Sequence, residues 1–581
     1  MSNRAIEGAR DRVASAAGRK PADLVLQNVR VLDVFTGQII EDSLAVKDGI
    51  ILGFGAYKAD EVRDMGGAWI LPGFIDSHVH IESSLCAPGE FARAVVPRGT
   101  TTVIADPHEI ANVLGLKGIR FMMENGEGVP LDIHYMLPSC VPATAFEDSG
   151  AVLDASDLNE LMDHPSVLGL GEVMDYPGVV EGNPEIFRKI DLALSRNKRV
   201  DGHGPGIGGR DLNGYRCAGI TTEHECSTRE EMEERLSRGM YILIREGSAA
   251  RNLETLVAGV TPGNSRRCLF CTDDKQPADI LAEGHINYNI RRAVELGLDP
   301  VTAVQMATLN AAECYGFRDR GAVAPGYRAD LVVVEDLASF RVKEVYKDGR
   351  RAAREGEALF TVPPVKDETV KDTIHLSPLS PGRFSLELSG DTAHVMVLNG
   401  HSLVTGKAVR EVPRSREGLF VSPLDRDILK LSVIERHGKT GNLGLALVEN
   451  YGLKGGAAAT TIAHDSHNLI VIGDSDDDMA AAANALIGAG GGMVLVRDGR
   501  VLELLPLPVA GLMSDEPIEV IRSKAESINR KAWGLMGVNR DLDPFMTLAF
   551  LSLPVIPELK LTARGLFDVT AFDFIPLCPE E

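Results

Sequence analysis

"PGFIDSHVHIESS", residues 72–84, sets two histidines one residue apart where an apolar run gives way to polar residues. The run "AWILPGFID", beginning at Ala68, reads as a buried strand. Side chains two apart on a strand share a face, so His78 and His80 emerge together at its C-terminal end. Such a pair can grip one metal ion or merely hydrogen-bond a turn. The choice depends on whether further acids and imidazoles reach the same place.

Outward from that stretch, eight strand candidates follow one another: "AWILPGFID", "TTVIAD", "DIHYMLPS", "SVLGLGEVM", "KRVDGH", "GITTEHE", "MYILIRE" and "RCLFCTD". Helix-like stretches such as "NPEIFRKIDLALSRN" and "TREEMEERLSRG" alternate with them. Eight such units over ~250 residues predict an α/β chain built on a (β/α)8 TIM-like barrel, here spanning 72–320. The flanks differ in texture. Residues 1–71 and 321–365 carry short β-rich runs broken by "TGQ" and "DG", which are hairpin signals. They predict one small β-sandwich domain completed from both sides of the barrel. Residues 366–581 predict a third, α+β domain with no repeat period. His464 and His467 in its "AHDSHN" lie outside the barrel and are expected to form an internal hydrogen-bonded turn.

Bulk properties narrow the partners. A formal charge of -23 disfavours nucleic acid and anionic membrane surfaces, both of which need a basic face, and favours a small-molecule substrate. The opening "MSNRAIEGARDRVASAAGRK" has no apolar signal core and no later run is long enough to span a bilayer, so a soluble cytoplasmic protein is expected. Eight cysteines in so long a chain make no disulfide scaffold, and Cys268 and Cys271 of "CLFC" read as strand residues.

Barrel active sites lie at the C-terminal strand ends. There the predicted strands present His78 and His80 (one), Glu172 (four), His203 (five), His224 (six) and Asp273 (eight). Four imidazoles and two carboxylates suffice for two divalent ions, since two His per ion leave Glu172 and Asp273 to supply anionic oxygens. Ligation by nitrogen and oxygen without thiolate suits Mn2+ or Fe2+, with Zn2+ as a further fit. Asp273, at a metal and facing the nucleophile, is the expected catalytic base. Weaker expectations attach to His108 in "ADPHE", facing substrate or an extra metal or tying a loop, and to Glu246 and Ser248 of "IREGS" as part of a substrate pocket. Asp274 is expected to touch substrate or to be a solvated neighbour, pointing to the opposite face of the strand from Asp273. The glycines of "GHGPGIGG" match no nucleotide fingerprint.

An HxH on the first strand, single histidines on strands five and six, and an Asp on strand eight resemble the amidohydrolase superfamily. "ADPHEIANVLG", "MDYPGV", "IREGSAARNL", "CTDDKQP", "HDSHNLIVIG" and "LSLPVIPELKLT" resemble its bacterial adenine deaminase family along nearly the whole chain. The resemblance implies hydrolysis of adenine to hypoxanthine and ammonia by a homo-oligomer (dimer or higher). Many amidohydrolases bridge their metals with a carboxylated lysine on strand four. "SVLGLGEVMD" has no lysine, and Glu172 takes that place. The alternatives are another cyclic amidase or deacetylase of the superfamily, because a metal constellation fixes the attack and not the electrophile, or a non-catalytic metal-binding protein.

Overall fold

The computed structural model describes residues 3–362, 364–423 and 425–579. Strands Phe74–Val79, Thr100–Ala105, Asp132–Leu137, Val167–Val173 and Arg199–Gly202 pair side by side, all parallel, and Thr222–Glu223, Tyr241–Arg245 and Cys268–Cys271 continue the series. The fifth and sixth strands meet where the Thr221 N–H donates to Val200 O at 3.1 Å. The first and eighth close the barrel at its mouth, where the Asp273 N–H donates to His78 O at 3.0 Å and the His80 N–H to Asp273 O at 3.2 Å. Closure therefore runs through the residues of the expected site.

The first expected strand is in fact two. Ala59–Pro72 belongs to the small sheet, and the barrel strand starts at Phe74. Gly73 is the joint, where a Cβ would lie 2.1 Å from Thr101 Oγ1. The apolar run crosses two adjoining cores without interruption, which is why its hydrophobicity shows no break.

Strands from 22–72 and 331–358 form one eight-stranded sheet, in which Leu331–Val334 pairs antiparallel with Trp69–Pro72. Ile70, Leu331 and Val333 face a core shared with Val31, Leu44 and Val46. Leu71, Val332 and Val334 face the other way, against the barrel's Ile290 and Ala303. Burial on both faces explains the continuous apolar "LVVV".

A second eight-stranded sheet, from Thr392–Val397 to Arg500–Pro506, builds the C-terminal domain. Helix Asp476–Ala489 packs on it through Met479, Ala482, Ala483 and Leu486. Ser475 caps its N-terminus by accepting the Asp478 N–H, three aspartates follow in the first turn, and Gly490 at φ 73° ends it in the left-handed conformation. This domain docks on the barrel around the mouth. The Ser514 N–H donates to Leu85 O at 2.8 Å, Ser466 Oγ to Glu147 Oε1 at 2.6 Å, and Arg564 Nε to Asp148 Oδ1 at 2.8 Å. Among the described residues, no helix is long and apolar enough to cross a membrane.

Candidate metal centre and active site

His78 and His80 leave the first strand on one face, as their spacing requires, and meet Glu172 from the fourth. Glu172 Oε1 lies 2.7 Å from His78 Nε2 and 3.0 Å from His80 Nε2, and the two ring nitrogens are 3.2 Å apart. Glu172 Oε2 lies 3.2 Å from His203 Nδ1, and Oε1 3.7 Å from His224 Nε2. One carboxylate thus stands between two pairs of imidazoles. The neighbouring Gly171 is required by packing, since a Cβ there would lie 2.0 Å from Asp106 Oδ2.

Asp273 completes the group, its Oδ1 3.1 Å from His80 Nε2 and 3.5 Å from His78 Nε2. The eighth strand has already ended at Cys271, and Asp273 has φ 56°, in the left-handed region that a non-glycine residue seldom occupies. Strand alternation therefore does not carry through this position, and the expectation that Asp274 points away is corrected. Asp274 accepts a hydrogen bond from Ser83 Oγ and has a carboxylate oxygen within 4.8 Å of ligand atoms on His80 and Asp273.

The donor set fits divalent cations. His80 Nδ1 lies 3.0 Å from the Asp106 carbonyl, which can only accept, so Nδ1 carries the proton and leaves the Nε2 lone pair aimed at carboxylate oxygens. Protonating both rings instead would set two imidazolium charges with nitrogens 3.2 Å apart. Glu172 Oε1 and His203 Nδ1 are buried without a hydrogen-bond partner among the described residues. A cation between these groups satisfies all of them at once. The carboxylates draw positive charge into the site: burial opposes charge on His78 and His203, yet Asp273 and Glu172 raise His78 to about 10, and Glu225 and Glu172 raise His203 to about 9, a demand that a divalent cation meets in place of protons. Burial opposes charge on Glu172 and Asp273, yet the surrounding imidazoles, with Arg245 beside Asp273, hold both carboxyls well below the usual range. Burial and the neighbouring His78 push His224 well down, toward the neutral, ligating form.

His108 is buried beside the centre, its ring 4.6 Å from that of His80 between centroids, with Nδ1 3.5 Å from Asp106 Oδ1. Glu246 accepts the Leu253 N–H at 3.3 Å, and Ser248 Oγ donates to Asp279 and accepts the Gln276 N–H at 2.9 Å, so both tie loops together. The sequence reading passed over Arg245 and Glu225. Arg245 Nη1 donates to Asp273 Oδ2 at 3.0 Å and Nη2 to Glu225 Oε2 at 3.0 Å, while Glu225 Oε1 lies 3.4 Å from His224 Nε2. Both sit at ends of strands already identified, so strand-end placement was the available signal.

His464 and His467 lie in the expected turn, closed by the His467 N–H on Ala463 O at 2.7 Å, but their rings also reach beyond the C-terminal domain. His464 Nδ1 lies 2.8 Å from Glu109 Oε1, and His467 Nε2 bonds Glu109 Oε2. A carboxylate from the first turn of helix His108–Leu114, which follows the second barrel strand, thus binds both rings. Separation by more than 350 residues hid this partnership from any local pattern.

Comparisons with known proteins give the constellation its family. Residues 69–352 match the amidohydrolase family model and 402–573 the adenine deaminase C-terminal domain model. The chain is 55% identical to an adenine deaminase of Nitratidesulfovibrio vulgaris (strain DP4), over 97% of this chain and 98% of that one. It is 51% identical to adenine deaminase 2 of Carboxydothermus hydrogenoformans, over 98% and 99%, and 48% identical to an adenine deaminase of Clostridium acetobutylicum, over 97% and 99%. With identity of this degree running from end to end over both domains, the chain belongs to the adenine deaminase family of amidohydrolases.

Proposed function

We propose that this protein hydrolyses adenine to hypoxanthine and ammonia, breaking the exocyclic C–N bond of a cyclic amidine. The observation that carries the reading is the convergence of His78, His80, Glu172, His203, His224 and Asp273 at one barrel mouth, in a chain 55% identical to a relative named for this reaction. His78 and His80 with Asp273 would hold one divalent ion, His203 and His224 a second, and Glu172 would bridge them. Mn2+ or Fe2+ suits this donor set, and Zn2+ is also compatible. When bound, the ions would supply Lewis acidity that makes hydroxide available at neutral pH.

The chain's own groups account for the proton traffic. Asp273, anchored through Oδ2 by Arg245, keeps its other oxygen toward the mouth. There it takes the proton of the oxygen that adds to C6 and passes it to the amino group, which departs as ammonia. The second proton of the consumed water ends on N1 of hypoxanthine. Glu172 needs no carbon dioxide to serve as a bridge, unlike a carboxylated lysine. Assembly as a homo-oligomer, dimer or higher, in the cytoplasm completes the proposal.

Ammonia and hypoxanthine release by protein loaded with manganese or iron tests it. Adenine should be turned over at least ~100-fold more efficiently than adenosine, the scale of discrimination available from a shaped pocket. Equal turnover of the two, or hydrolysis of a cyclic amide instead, would transfer the assignment to another amidohydrolase activity.

A further inference from the structure

Beside the metal centre lies a cavity whose barrel wall includes Ser83, Glu109 and Asp274 and whose opposite wall comes from the C-terminal domain, with His464, Phe545 and Phe550. If C6 of the purine is placed at the metal centre, the rest of the ring must extend along a wall that can hold it. That wall is largely apolar, so a polar atom on it with nothing to bond is conspicuous.

The two histidines of the C-terminal domain differ in this respect. His467 has both nitrogens committed: Nδ1 accepts the Ala463 N–H at 3.2 Å, and Nε2 therefore carries the proton given to Glu109. That pattern also removes His467 as a metal ligand, because no lone pair is left on the nitrogen that faces Glu109. Glu109, His464 and His467 are thus a hydrogen-bonded clasp rather than a cation site, despite their ligand-like grouping. His464 gives Nδ1–H to Glu109 at 2.8 Å, and its Nε2 has no partner among the described residues. Three further contacts fix its position. The ring stacks on Phe550 at 4.2 Å between centroids, its backbone N–H donates to Ala549 O at 3.0 Å, and its carbonyl accepts from Ser552 Oγ at 3.1 Å.

We propose that His464, lent to the barrel by the C-terminal domain and oriented by Glu109, is a purine-binding residue whose Nε2–H donates to an acceptor nitrogen of the ring. The carboxylate of Glu109 favours the doubly protonated ring that this contact requires. Burial opposes charge on His464, but Glu109 outweighs it and holds the imidazole up at about 9. The inference rests on the adenine reading above and adds to it the residue through which the third domain recognises substrate.

Two asparagine variants separate recognition from clasping. In His464→Asn the amide nitrogen stands near the place of Nδ1, so the bond to Glu109 can persist while the cavity-facing nitrogen is gone. In His467→Asn the bond to Glu109 is lost and the cavity-facing nitrogen of His464 stays. Metal content, melting temperature, hypoxanthine binding and the kinetics of adenine are measured for each. His464→Asn should bind hypoxanthine ~10- to 100-fold more weakly, the worth of a hydrogen bond to a charged donor, and raise KM more than it lowers kcat, at unchanged metal content. His467→Asn should lower the melting temperature and leave hypoxanthine binding within about threefold of wild type. His464→Gln, whose amide nitrogen stands near the place of Nε2, should recover part of the binding. Wild-type binding in His464→Asn, or equal weakening in both asparagine variants, overturns the inference while an active wild type leaves the adenine reading intact. Wild-type protein that neither binds hypoxanthine nor releases ammonia from adenine overturns that reading itself, and this one with it.

Discussion

Asp273 combines an uncommon backbone conformation with contacts to two imidazoles and an arginine, and these explain its expected sensitivity. Asp273→Asn keeps one oxygen toward His78 and His80 but removes the proton acceptor. Turnover of adenine should fall ~100-fold or more while elemental analysis finds most of the metal still bound. The neighbouring carboxylate belongs to the same mouth. Asp274 takes the Ser83 hydroxyl, and burial, reinforced by Asp273, raises its carboxyl above the ordinary value. Asp274→Asn should therefore cost at least ~10-fold in kcat/KM, where extended alternation would have predicted little change. Near-normal activity would show that its carboxylate serves only the loop. The six residues that meet around Glu172 were all legible from strand-end placement, a rule about backbone direction that needs no tertiary detail. The orientation of Asp274 was not, because it turns on a single φ of 56° at Asp273 that residue types do not announce.

Strand ends at the opposite pole of the barrel carry a different kind of chemistry. Asp132 opens the third strand and has Arg320 Nη1 at 2.7 Å, Lys347 Nζ at 2.8 Å and Arg328 Nη1 at 2.9 Å, so it ties the barrel to the small sheet. Its side chain is only 25% exposed, and although burial raises a carboxyl, Lys347, Arg320 and Arg328 outweigh it and bring Asp132 to about 2. A carboxyl held below its unfolded value stabilises the fold fully above that value, and the contribution fades as pH falls through the folded one. Asp132→Asn should cost about 2 kcal/mol in urea unfolding at pH 7, with the difference from wild type narrowing between about pH 4 and pH 2. A pH-independent difference would assign the cost to packing. At this scale the sequence revealed that both flanks are β-rich but not their register. The junction at Gly73 was hidden because one apolar run, starting at Ala68, joins the end of strand Ala59–Pro72 to the start of strand Phe74–Val79 and so serves two sheets.

For the whole molecule, the metal centre, barrel closure and domain docking share one region. The backbone hydrogen bonds that close the first strand on the eighth belong to His78, His80 and Asp273, while Glu109 beside them clasps the C-terminal domain through His464 and His467. Long-range partnerships of this kind leave no local periodicity, so the third domain's place over the mouth was not legible even though its α+β character was. The arrangement predicts how the protein loosens. Removing the ions would leave the buried carboxylates drawing protons onto imidazoles whose nitrogens stand 3.2 Å apart, and like charges set that close together are costly. Chelation should release about two metal equivalents per chain, as a bridged pair requires. It should also lower the melting temperature by several degrees, since a ligand present at 100 times its Kd stabilises by about 2.7 kcal/mol. His78→Ala and His203→Ala should each lose at least one equivalent. Hydrogen exchange of the metal-free protein should rise first at the strand ends of the mouth and along the clasp from Ala463 to His467, while the Asp132 network at the other pole stays protected. Adding Mn2+ or Fe2+ back should restore protection and turnover together. Saturation at a single ion would remove the bridging role of Glu172, and exchange rising uniformly over the barrel would separate the metals from the closure of the mouth.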